Sequence, residues 1–455
     1  MSDLSRCGHL AVALAACLGL LSACAPGGEA DRSPDSKDSG PLSTDPAQAG
    51  KVTLTVWDQN IDPGIDASTE RLNEAFMRKY PNVTVKRVSR SFNDLKATIK
   101  LALTSGNPPD VIQANQGYPD MGAFVKADLL RPVARYAQVY GWDKAYPRQL
   151  LDLNRFSADG RTWKTGELFG VSQTGEIVGV YYNKAKLKAL GVAAPTTLSE
   201  FEAALGKAKA ADELPLAFGN SNKSSAIQLF GVVQAVEAGK QEVRDLVFGQ
   251  GDARWTGDGL VRSAERLRGW VEKGYLSRGF NGLSAEQAAI DFAEGESAFL
   301  VDGTWQAARL AQKMGAGKVG FTALSPTPDA SPVTQGGQGL AWAVTSKSAH
   351  PDVAAAYIDF LVDEQGMRTV AELGSLPALP PSSHRPAAGT VDADLLAEWR
   401  EVSERDGLVP YLDYTTPTFY DTLTAALQEM LAGRQPPEKF GRTLEADAAA
   451  FRKSR

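Results

Sequence analysis

Cysteine and histidine are scarce in this sequence, and their scarcity excludes several kinds of site. The three cysteines, Cys7, Cys17 and Cys24, all lie near the amino terminus, and only His350 and His384 follow them. Without a disulfide framework the chain must be stabilised by burial of an apolar core, and 455 residues are enough for two domains. A transition-metal site would consist mostly of carboxylates, which suit harder ions better, so we expect no metal and no cofactor.

The sequence also lacks the motifs of common enzyme classes. It contains no Walker A sequence, no Gly-x-Gly-x-x-Gly after a predicted strand and no Gly-x-Ser-x-Gly. The glycine-rich segment 336–339 precedes a predicted strand, which is the wrong position for a phosphate-binding loop. The 54 acidic residues include chance pairs, and no two stand out as the catalytic pair of a glycoside hydrolase. We therefore expect a protein that is not an enzyme.

Charge and hydropathy exclude two further kinds of partner or structure. The formal net charge is −6, and the sequence has no basic tract of the kind that follows a phosphate backbone, so we expect no nucleic-acid partner. Beyond residue 24, no apolar run is long enough to span a bilayer.

The amino terminus has the composition of an export signal. The apolar stretch 11–21 is too short for a spanning helix, so residues 1–23 are predicted to be a signal peptide. The string Leu21-Ser22-Ala23-Cys24 resembles the lipobox of bacterial lipoproteins. This resemblance implies cleavage before Cys24 and lipidation of that residue, and an ordinary secretory signal is the alternative.

A segment poor in large apolar residues follows the signal. Residues 24–50 contain several Pro, Gly, Ser and Asp and no aromatic residue, so they cannot bury enough apolar surface to become ordered. We expect them to be a lipid-anchored flexible tether, about 25–30 Å long. Order is predicted to begin at Lys51, with the globular part held at the extracytoplasmic face of the cell membrane.

Beyond the tether, strands and helices alternate, which is typical of an α/β protein with a parallel sheet. Capping boxes are predicted at Ser91, Thr197 and Ser284, each with an Asp, Glu or Gln three residues later. The predicted strands are 52–57, 83–88, 110–114, 169–183 with a break at 174–176, and 340–344. The predicted helices include one from about Ala67, one from Ser91, one through Leu205, 351–361, 391–405 and 420–431, the last two closing the chain.

The stretch 291–307 is the strongest local pattern. An apolar run closed by Asp302-Gly303-Thr304 predicts a strand that leads into a helix, with Thr304 as the N-cap. Trp305 would then lie in the first helical turn, beyond the strand end where open α/β sheets bind ligands. Either it packs against the sheet or it stacks on a ligand, and the stretch alone leaves both interpretations open.

Aromatic residues recur beside short polar clusters at the predicted ends of elements. The clusters are Trp57 to Asn60, Gln113 to Gln116, Thr174 to Glu176, Gly303 to Trp305, and Tyr411 to Tyr414. Saccharide sites need this mixture, because hydroxyl groups require planar donors and acceptors while a sugar face packs on an aromatic ring.

Seven strings in order resemble one family. They are Val-Thr-Leu-Thr-Val-Trp-Asp at 52–58, Phe-Met-Arg-Lys-Tyr-Pro-Asn-Val at 76–83, Gly-Asn-Pro-Pro-Asp-Val at 106–111, Gly-Val-Tyr-Tyr-Asn-Lys at 179–184, Phe-Ala-Glu-Gly-Glu-Ser-Ala-Phe-Leu-Val-Asp-Gly-Thr-Trp at 292–305, Gly-Leu-Ala-Trp-Ala-Val at 339–344 and Val-Pro-Tyr-Leu-Asp-Tyr at 409–414. From about 51 to 452 the chain resembles the extracellular solute-binding proteins of bacterial ABC importers, in the carbohydrate-binding group that includes maltodextrin-binding protein.

The resemblance implies a two-lobe periplasmic-binding-protein-like α/β fold with a hinge and a ligand cleft. Its lobes would be 51–173 with 340–385, and 174–339 with 386–455. It implies a monomeric, lipid-anchored receptor that binds a sugar, a di- or oligosaccharide, and delivers it to the membrane permease subunits of an ABC transporter.

The resemblance also implies site residues. Matching strings place a hinge glutamate at Glu176 and a ligand-stacking aromatic at Trp305, and a second aromatic at Phe419 or Tyr420. Tyr182 lies in a strand string and is interpreted as core rather than as a ferric-ion ligand. The other expected ligand-binding residues are Trp57, Asp58, Gln59, Asn60, Asn115, Gln116, Gly337, Gln338, Asp413 and Tyr414.

Two alternatives stay open. The same fold could bind a non-sugar solute such as a polyamine, an anion or glycerol-phosphate, and an anion site would place a cation such as Arg90 in the cleft. An anchored polysaccharide-acting enzyme would instead need two carboxylates about 5–10 Å apart across the cleft.

Overall fold

Two separate β-sheets organise the molecule in the computed structural model, which describes residues 40–454. The predicted signal peptide, Cys24 and the first part of the predicted tether lie outside the described residues. The strands are β1 Val52–Asp58, β2 Val83–Ser89, β3 Val111–Ala114, β4 Arg155–Phe156, β5 Glu167–Leu168, β6 Val171–Ser172, β7 Val178–Asn183, β8 Leu214–Ala217, β9 Ser297–Gly303, β10 Val319–Thr322, β11 Thr334–Gln335, β12 Ala341–Val344 and β13 Leu408–Val409.

Helices connect the strands and cover the sheets. They are α1 Pro63–Lys79, α2 Phe92–Thr104, α3 Ala123–Lys126, α4 Ala134–Tyr140, α5 Trp142–Ala145, α6 Arg148–Asp152, α7 Lys184–Leu190, α8 Leu198–Ala210, α9 Ser224–Glu237, α10 Lys240–Phe248, α11 Asp258–Glu272, α12 Ala285–Ala293, α13 Ala307–Met314, α14 Pro351–Val362, α15 Glu364–Glu372, α16 Val391–Glu404, α17 Phe419–Leu431 and α18 Pro437–Ser454. A π-helical turn covers Tyr118–Gly122, and short 3-10 turns cover Pro46–Ala49, Phe280–Gly282, Thr304–Gln306 and Leu412–Thr415.

The first sheet has the strand order β2-β1-β3-β12-β6. β1 pairs in parallel with β2 and with β3, which confirms the parallel arrangement predicted for the first three strands. β12 pairs antiparallel with β3 and β6. Because parallel neighbours need a crossover connection, α1 and α2 link the parallel strands. The core beside this sheet contains Phe76 and Tyr357, whose rings meet edge to face at 5.3 Å.

The second sheet has the order β10-β7-β9-β8. β7 pairs antiparallel with β9 and β10, and β8 pairs parallel with β9. The apolar run of β9 is buried, with Phe299 fully buried and Leu300 3% exposed, so these residues are scaffold. Tyr181 is fully buried, while Tyr182 is only half-buried and packs at the edge of the core.

The predicted helix starts rest on local hydrogen bonds that the structure contains. Ser91 Oγ accepts from Asp94 N at 3.2 Å, and Ser284 Oγ accepts from Gln287 N at 3.0 Å. Thr197 and Glu200 form a complete capping box at α8. These residues are N-caps because their oxygens satisfy amide groups that have no partner within the helix.

The helix predictions differ from the structure in the start of α1 and in helices that were not predicted, among them α9, α11 and α18. α1 begins at Pro63, a turn before the predicted start near Ala67, because proline is well suited to the first helical position. α18 was not predicted, yet its Phe440, Leu444 and Ala448 are buried at intervals of four residues. That spacing places them on one helical face.

Part of the predicted tether packs against the globular unit. Residues from Leu42 onward belong to that unit, and Leu42 contacts the core beside the first sheet. Ser43 N donates to Asp352 Oδ2 at 2.9 Å, and Asn82 Nδ2 donates to Pro46 O at 2.8 Å. The prediction that order begins at Lys51 is therefore wrong by about nine residues. The segment is ordered by contacts with residues that are distant in the sequence.

Three extended segments run side by side where the chain passes between the two sheets. They are 173–177, 336–339 and 376–378. Gly339 N donates to Thr174 O at 2.9 Å, and Ala378 N donates to Gln173 O at 2.9 Å. Isolated bridges also join Thr174 to Pro377 and Ile177 to Gly336.

Candidate functional site

A cavity of about 320 Å³ lies at the ends of strands from both sheets. Its wall includes the segments after β1, β2 and β3 and the end of β9. The crevice beyond strand ends is where open α/β sheets bind ligands. The predicted site residues in the wall are Gln59, Asn60, Asn115, Glu176, Trp305, Asp413, Tyr414 and Tyr420.

Trp305 lies half-buried in the wall, in the 3-10 turn between β9 and α13. Its indole ring packs directly over Gly303, where an added Cβ would lie 2.1 Å from ring carbons. The predicted N-cap role of Thr304 is wrong. Thr304 is the first residue of the 3-10 turn, and its hydroxyl donates to Gly175 O at 3.4 Å instead of capping a helix.

Glu176 lies in the segment 173–177, beside the segment 336–339. Gly337 N donates to the Glu176 carbonyl at 2.7 Å. A Cβ on Gly339 would lie 2.6 Å from Glu176 Oε1, so the absence of a side chain leaves room for the carboxylate. Burial raises the pKa of Glu176 to about 7, although the nearby Tyr411 hydroxyl acts in the opposite direction.

Asp302 places a second carboxyl group beside Trp305. It accepts a hydrogen bond from Gly303 N at 2.8 Å. Burial raises the pKa of Asp302 to about 7, against the lowering effect of that bond and of the nearby side chains of Gln306 and Trp305. The negative charge of Asp62 raises the pKa of both Asp302 and Glu176.

Asp62 and Arg309 form an ion pair in the wall. Arg309 Nη2 lies 2.6 Å from Asp62 Oδ1, joining the start of α1 to α13. Asp62 occupies the N-cap position of α1 but makes no capping hydrogen bond with its side chain. Burial raises the pKa of Asp62, and the bond to Arg309 acts against this.

A hydrogen-bond network orients Asn115. Its Nδ2 donates to Asp120 Oδ2 at 3.1 Å, and its Oδ1 accepts from the Tyr414 hydroxyl at 3.0 Å. Lys96 Nζ lies 2.9 Å from Asp120 Oδ2 and pairs with its charge. With both ends of its amide engaged, Asn115 presents a fixed polar group to the cavity.

Tyr420 and Asp413 also lie in the wall. Lys96 Nζ lies 4.7 Å from the Tyr420 ring centroid, and the Tyr420 hydroxyl donates to Asn93 Oδ1 at 3.4 Å. The neighbouring Phe419 is instead fully buried against Trp255. Burial raises the pKa of Asp413 to about 6, although Lys96 lowers it.

Residues 62–368 match the family model of the bacterial extracellular solute-binding proteins. This match spans more than half of the chain. The chain belongs to this family. Proteins of the family act outside the cytoplasm, as the name of the family states.

Named relatives of this solute-binding protein include two from streptococci. A multiple sugar-binding protein of Streptococcus mutans is 24% identical over 72% of this chain and 75% of its own length. A maltooligosaccharide ABC transporter solute-binding lipoprotein of Streptococcus pneumoniae is 25% identical over 70% of each chain. Both relatives are named as binding proteins.

The solved structure of a chitin oligosaccharide binding protein superposes with a TM-score of 0.74 at 21% identity, covering 88% of this chain and all of that one. This likeness confirms the predicted two-lobe, periplasmic-binding-protein-like α/β fold.

The structure of the solute-binding protein gives two further observations. Between residues 40 and 454, no helix has both the length and the apolar character needed to cross a bilayer. In the same part of the chain, no three His, Cys, Asp or Glu side chains are grouped so that they could hold a metal ion.

Two predicted site residues of the solute-binding protein lie outside the cavity wall, and each contacts an arginine side chain. Asp58 is fully buried and pairs with Arg87 Nε at 2.7 Å, and it also accepts from Asn60 N at 2.9 Å. It therefore shapes the loop that carries Gln59 and Asn60. The Arg90 guanidinium covers the ring of Trp57 at 4.6 Å from the ring centroid.

Three more predicted residues also lie behind the wall. Gln116 Nε2 donates to Gly339 O at 2.9 Å, and its Oε1 accepts from the Tyr414 hydroxyl at 3.1 Å. Gln338 Nε2 donates to Leu150 O at 2.7 Å. Gly337 contributes its backbone amide to Glu176. These residues hold the wall together rather than face the cavity.

The wall also contains polar residues that were not among the expected ligand-binding residues, including Asp62, Asn222, Gln228, Glu286, Asp302, Gln306 and Arg309. Gln113 and Tyr411, which also lie in the wall, belong to polar clusters named in the sequence analysis. Arg309 lies four residues after Trp305, a spacing that brings side chains together on a helix. The sequence pattern around Trp305 could therefore have indicated Arg309 as a site residue. Asn222 and Gln228 lie in and after a loop with no comparable signal.

Proposed function

We propose that this solute-binding protein is a lipid-anchored extracytoplasmic receptor that binds a di- or oligosaccharide and delivers it to the permease of an ABC transporter. In this proposal it is a monomer and not an enzyme. The observation that carries the proposal is the position of the Trp305 indole in a cavity wall that also holds Asn60, Asn115 and Glu176.

The chemistry of the wall fits a saccharide. Sugar hydroxyls need hydrogen-bonding partners in several directions, and the apolar face of a sugar ring packs well on an aromatic ring. Asn60 and Gln113 are held in place by the bond from Gln113 Nε2 to Asn60 Oδ1 at 3.0 Å. The wall is thus pre-organised, which reduces the entropy lost on binding. The sugar-binding names of the relatives agree with this interpretation.

An anionic solute fits the wall less well. Arg309 is the only basic residue among the wall residues that the structure describes, and its guanidinium is already paired with Asp62 at 2.6 Å. Arg90, the cation considered from the sequence, lies against Trp57 instead. A buried anion would therefore meet several carboxylates and no free cation in the wall, which is unfavourable.

The lobes of the proposal are 51–173 with 340–385, and 174–339 with 386–455. The adjacent segments 173–177, 336–339 and 376–378 support a hinge between them, since a few strand-like crossings can bend while the sheets stay rigid. The third of these segments precedes residue 385, where the sequence placed the second boundary between the lobes. We therefore propose 376–378 as that boundary.

A thermal-shift screen over mono-, di- and oligosaccharides tests the proposed function. A ligand bound only by the folded protein raises the melting temperature, and the best saccharide is then titrated calorimetrically. We expect Trp305→Ala to weaken its binding by about 30-fold or more, as is typical for removal of a central aromatic contact.

Trp57→Ala is the matched control, because Trp57 is also half-buried but lies outside the wall. It should leave the affinity within about threefold of the wild type. Absence of any saccharide-induced shift, or an equal loss of affinity in both variants, would contradict the proposed site.

A further inference from the structure

The cavity wall is acidic. Five carboxyl side chains border the cavity, and they are Asp62, Glu176, Glu286, Asp302 and Asp413. Of the wall residues that the structure describes, Arg309 alone is basic, and it is paired with Asp62. Glu176, Glu286 and Asp302 therefore have no cationic partner within the wall, while the charge of Lys96, which lies outside the wall, acts on Asp413.

Two amide oxygens in the same wall also need a donor. Gln306 is 7% exposed, and its Oε1 has no hydrogen-bond partner within the protein. Asn222 Oδ1 is buried and likewise has none. A buried acceptor without a partner costs free energy, so the ligand should supply donors here. Two buried donors of the wall, Arg309 Nε and the Tyr411 hydroxyl, also have no partner, so the ligand should both donate and accept, as a sugar with amino and hydroxyl groups does.

The electrostatics distinguish a charged ligand from a neutral one. Burial raises the pKa of Glu176 and of Asp302 to about 7, and the charge of Asp62 raises both further. The groups facing them are the Tyr411 hydroxyl, the amide of Gly303 and the side chains of Gln306 and Trp305, none of which is cationic. A neutral sugar can donate hydroxyl hydrogen bonds to these carboxyl groups but supplies no counter-charge, whereas an ammonium group supplies both donors and a positive charge.

We propose that the saccharide of this receptor carries a protonated amino group, and that Glu176 and Asp302 hold its ammonium. The ligand class is therefore an amino sugar, or an oligosaccharide containing one, in its free amine form. This inference rests on the proposed function, because it names the class of saccharide for the same cavity.

The test compares matched sugars that differ only at one position. Glucosamine, N-acetylglucosamine and glucose form one series, their β-1,4-linked oligomers a second, and the corresponding galactose compounds a third. Binding is measured by calorimetry at about pH 7. In whichever series binds, we expect the free amine to bind about tenfold more tightly or better than both neutral members, because charge-assisted hydrogen bonds are roughly twice as strong as neutral ones.

The possible outcomes separate the two proposals. If a neutral member binds as tightly as the amine or more tightly, the amino-sugar inference is wrong and the proposed function stands. If no member of any series binds and a linear polyamine such as spermidine does, the proposed function itself is wrong, and the inference fails with it.

Substitutions of the two carboxyl groups test where the ammonium group of the ligand binds. Glu176→Gln and Asp302→Asn keep the side-chain shape but remove the charge, so each should weaken amine binding by about tenfold while changing neutral-sugar binding much less. Glu398→Gln is the matched control, because burial also raises the pKa of Glu398 to about 7 but this residue lies outside the wall. An equal loss for amine and neutral sugar in Glu176→Gln and Asp302→Asn would show that these carboxylates bind hydroxyl groups only, and would overturn the assignment.

The pH dependence gives a second readout. The carboxyl groups of Glu176 and Asp302 ionise as the pH rises towards 7, so binding of the amine should tighten between about pH 5.5 and pH 7. Binding of the neutral members should stay constant or weaken over the same interval. Amine binding that does not change with pH would contradict the proposed contact.

Discussion

At the scale of single residues, the site depends on a glycine, whose lack of a side chain leaves room for an aromatic ring. The Trp305 indole lies on Gly303, whose backbone φ of −85° any residue could adopt, so the glycine is required by space and not by conformation. The Tyr181 hydroxyl holds the same residue by donating to Gly303 O at 2.9 Å. In the Asp-Gly-Thr-Trp string, the backbone of the glycine therefore packs against one face of the tryptophan ring and holds it in place.

We expect Gly303→Ala to displace the indole. A methyl group 2.1 Å from ring carbons cannot be accommodated, so the ring must move, at a cost of about 1–3 kcal/mol in the free energy of unfolding. Ligand affinity should fall together with stability, and both are measured, by denaturant unfolding and by calorimetry with the best saccharide.

Gly269→Ala is the control for this change, because a Cβ there meets no atom within 4 Å and the residue lies inside α11. It should raise stability by about 0.5–1 kcal/mol, the usual gain from replacing glycine with alanine in a helix. Unchanged affinity in Gly303→Ala would mean that the indole is not fixed by this contact.

At the scale of elements, Arg87 on β2 joins β1 to α1. Its guanidinium lies 2.7 Å from Asp58 Oδ2 at the end of β1, and 2.7 Å from Asp66 and 2.6 Å from Glu70 on α1. Nη2 also donates to Asn60 O at 2.6 Å. This cluster raises the pKa of Arg87 further above its already high value, against the opposite effect of burial, and fixes the loop that carries Asn60 into the cavity wall.

We expect Arg87→Met to destabilise the protein by about 3–5 kcal/mol, because Asp58 is fully buried and would lose its counter-charge. The double variant with Asp58→Asn should recover part of the loss. Arg78→Met is the control, since Arg78 is 67% exposed and pairs with Glu74 at the surface, where a pair contributes at most about 1 kcal/mol. Equal effects of the two arginine substitutions in urea unfolding would be evidence against this role.

At the scale of the whole molecule, the cavity wall brings together Glu176, from a segment that joins the sheets, and Asp302, from the end of β9. The carboxyl groups of Glu176 and Asp302 lose their protons near pH 4 in an unfolded chain but near pH 7 in the folded one. Between these values the folded state binds more protons than the unfolded state. Their contribution to stability is therefore complete below about pH 4 and is lost as the pH rises through 7.

We accordingly expect Glu176→Gln and Asp302→Asn to raise the melting temperature of the ligand-free protein at about pH 8, and to lose that advantage at about pH 5. The comparison is made between variant and wild type at each pH, so that other carboxyl groups cancel. Glu364→Gln, at a side chain that is 79% exposed, controls for the change in net charge. A variant whose advantage is the same at both pH values would show that burial does not shift these groups.

Much of the fold could be predicted because its signals are local. Strand alternation marked β1, the capping box at Thr197 marked α8, and the interruption at 174–176 marked the passage between the sheets. Each signal depends on residues a few positions apart, and so does the hydrogen bond or burial that it represents. The start of α1, the length of the tether and several elements, among them β8, β10, α9, α11 and α18, were missed where partners lie far away or the pattern was overlooked.

The sequence by itself determined many of the elements, the family strings and the ring at Trp305. The tertiary structure decided which polar groups share the cavity. Asp58 and Trp57 look like site residues in the chain, but Arg87 and Arg90 from neighbouring segments cover them. Asp62 and Arg309 are 247 residues apart, and their pairing follows only from the folded arrangement of α1 and α13. Charge and burial in a cavity are sums over such distant neighbours, which is why its acidity became visible only in three dimensions.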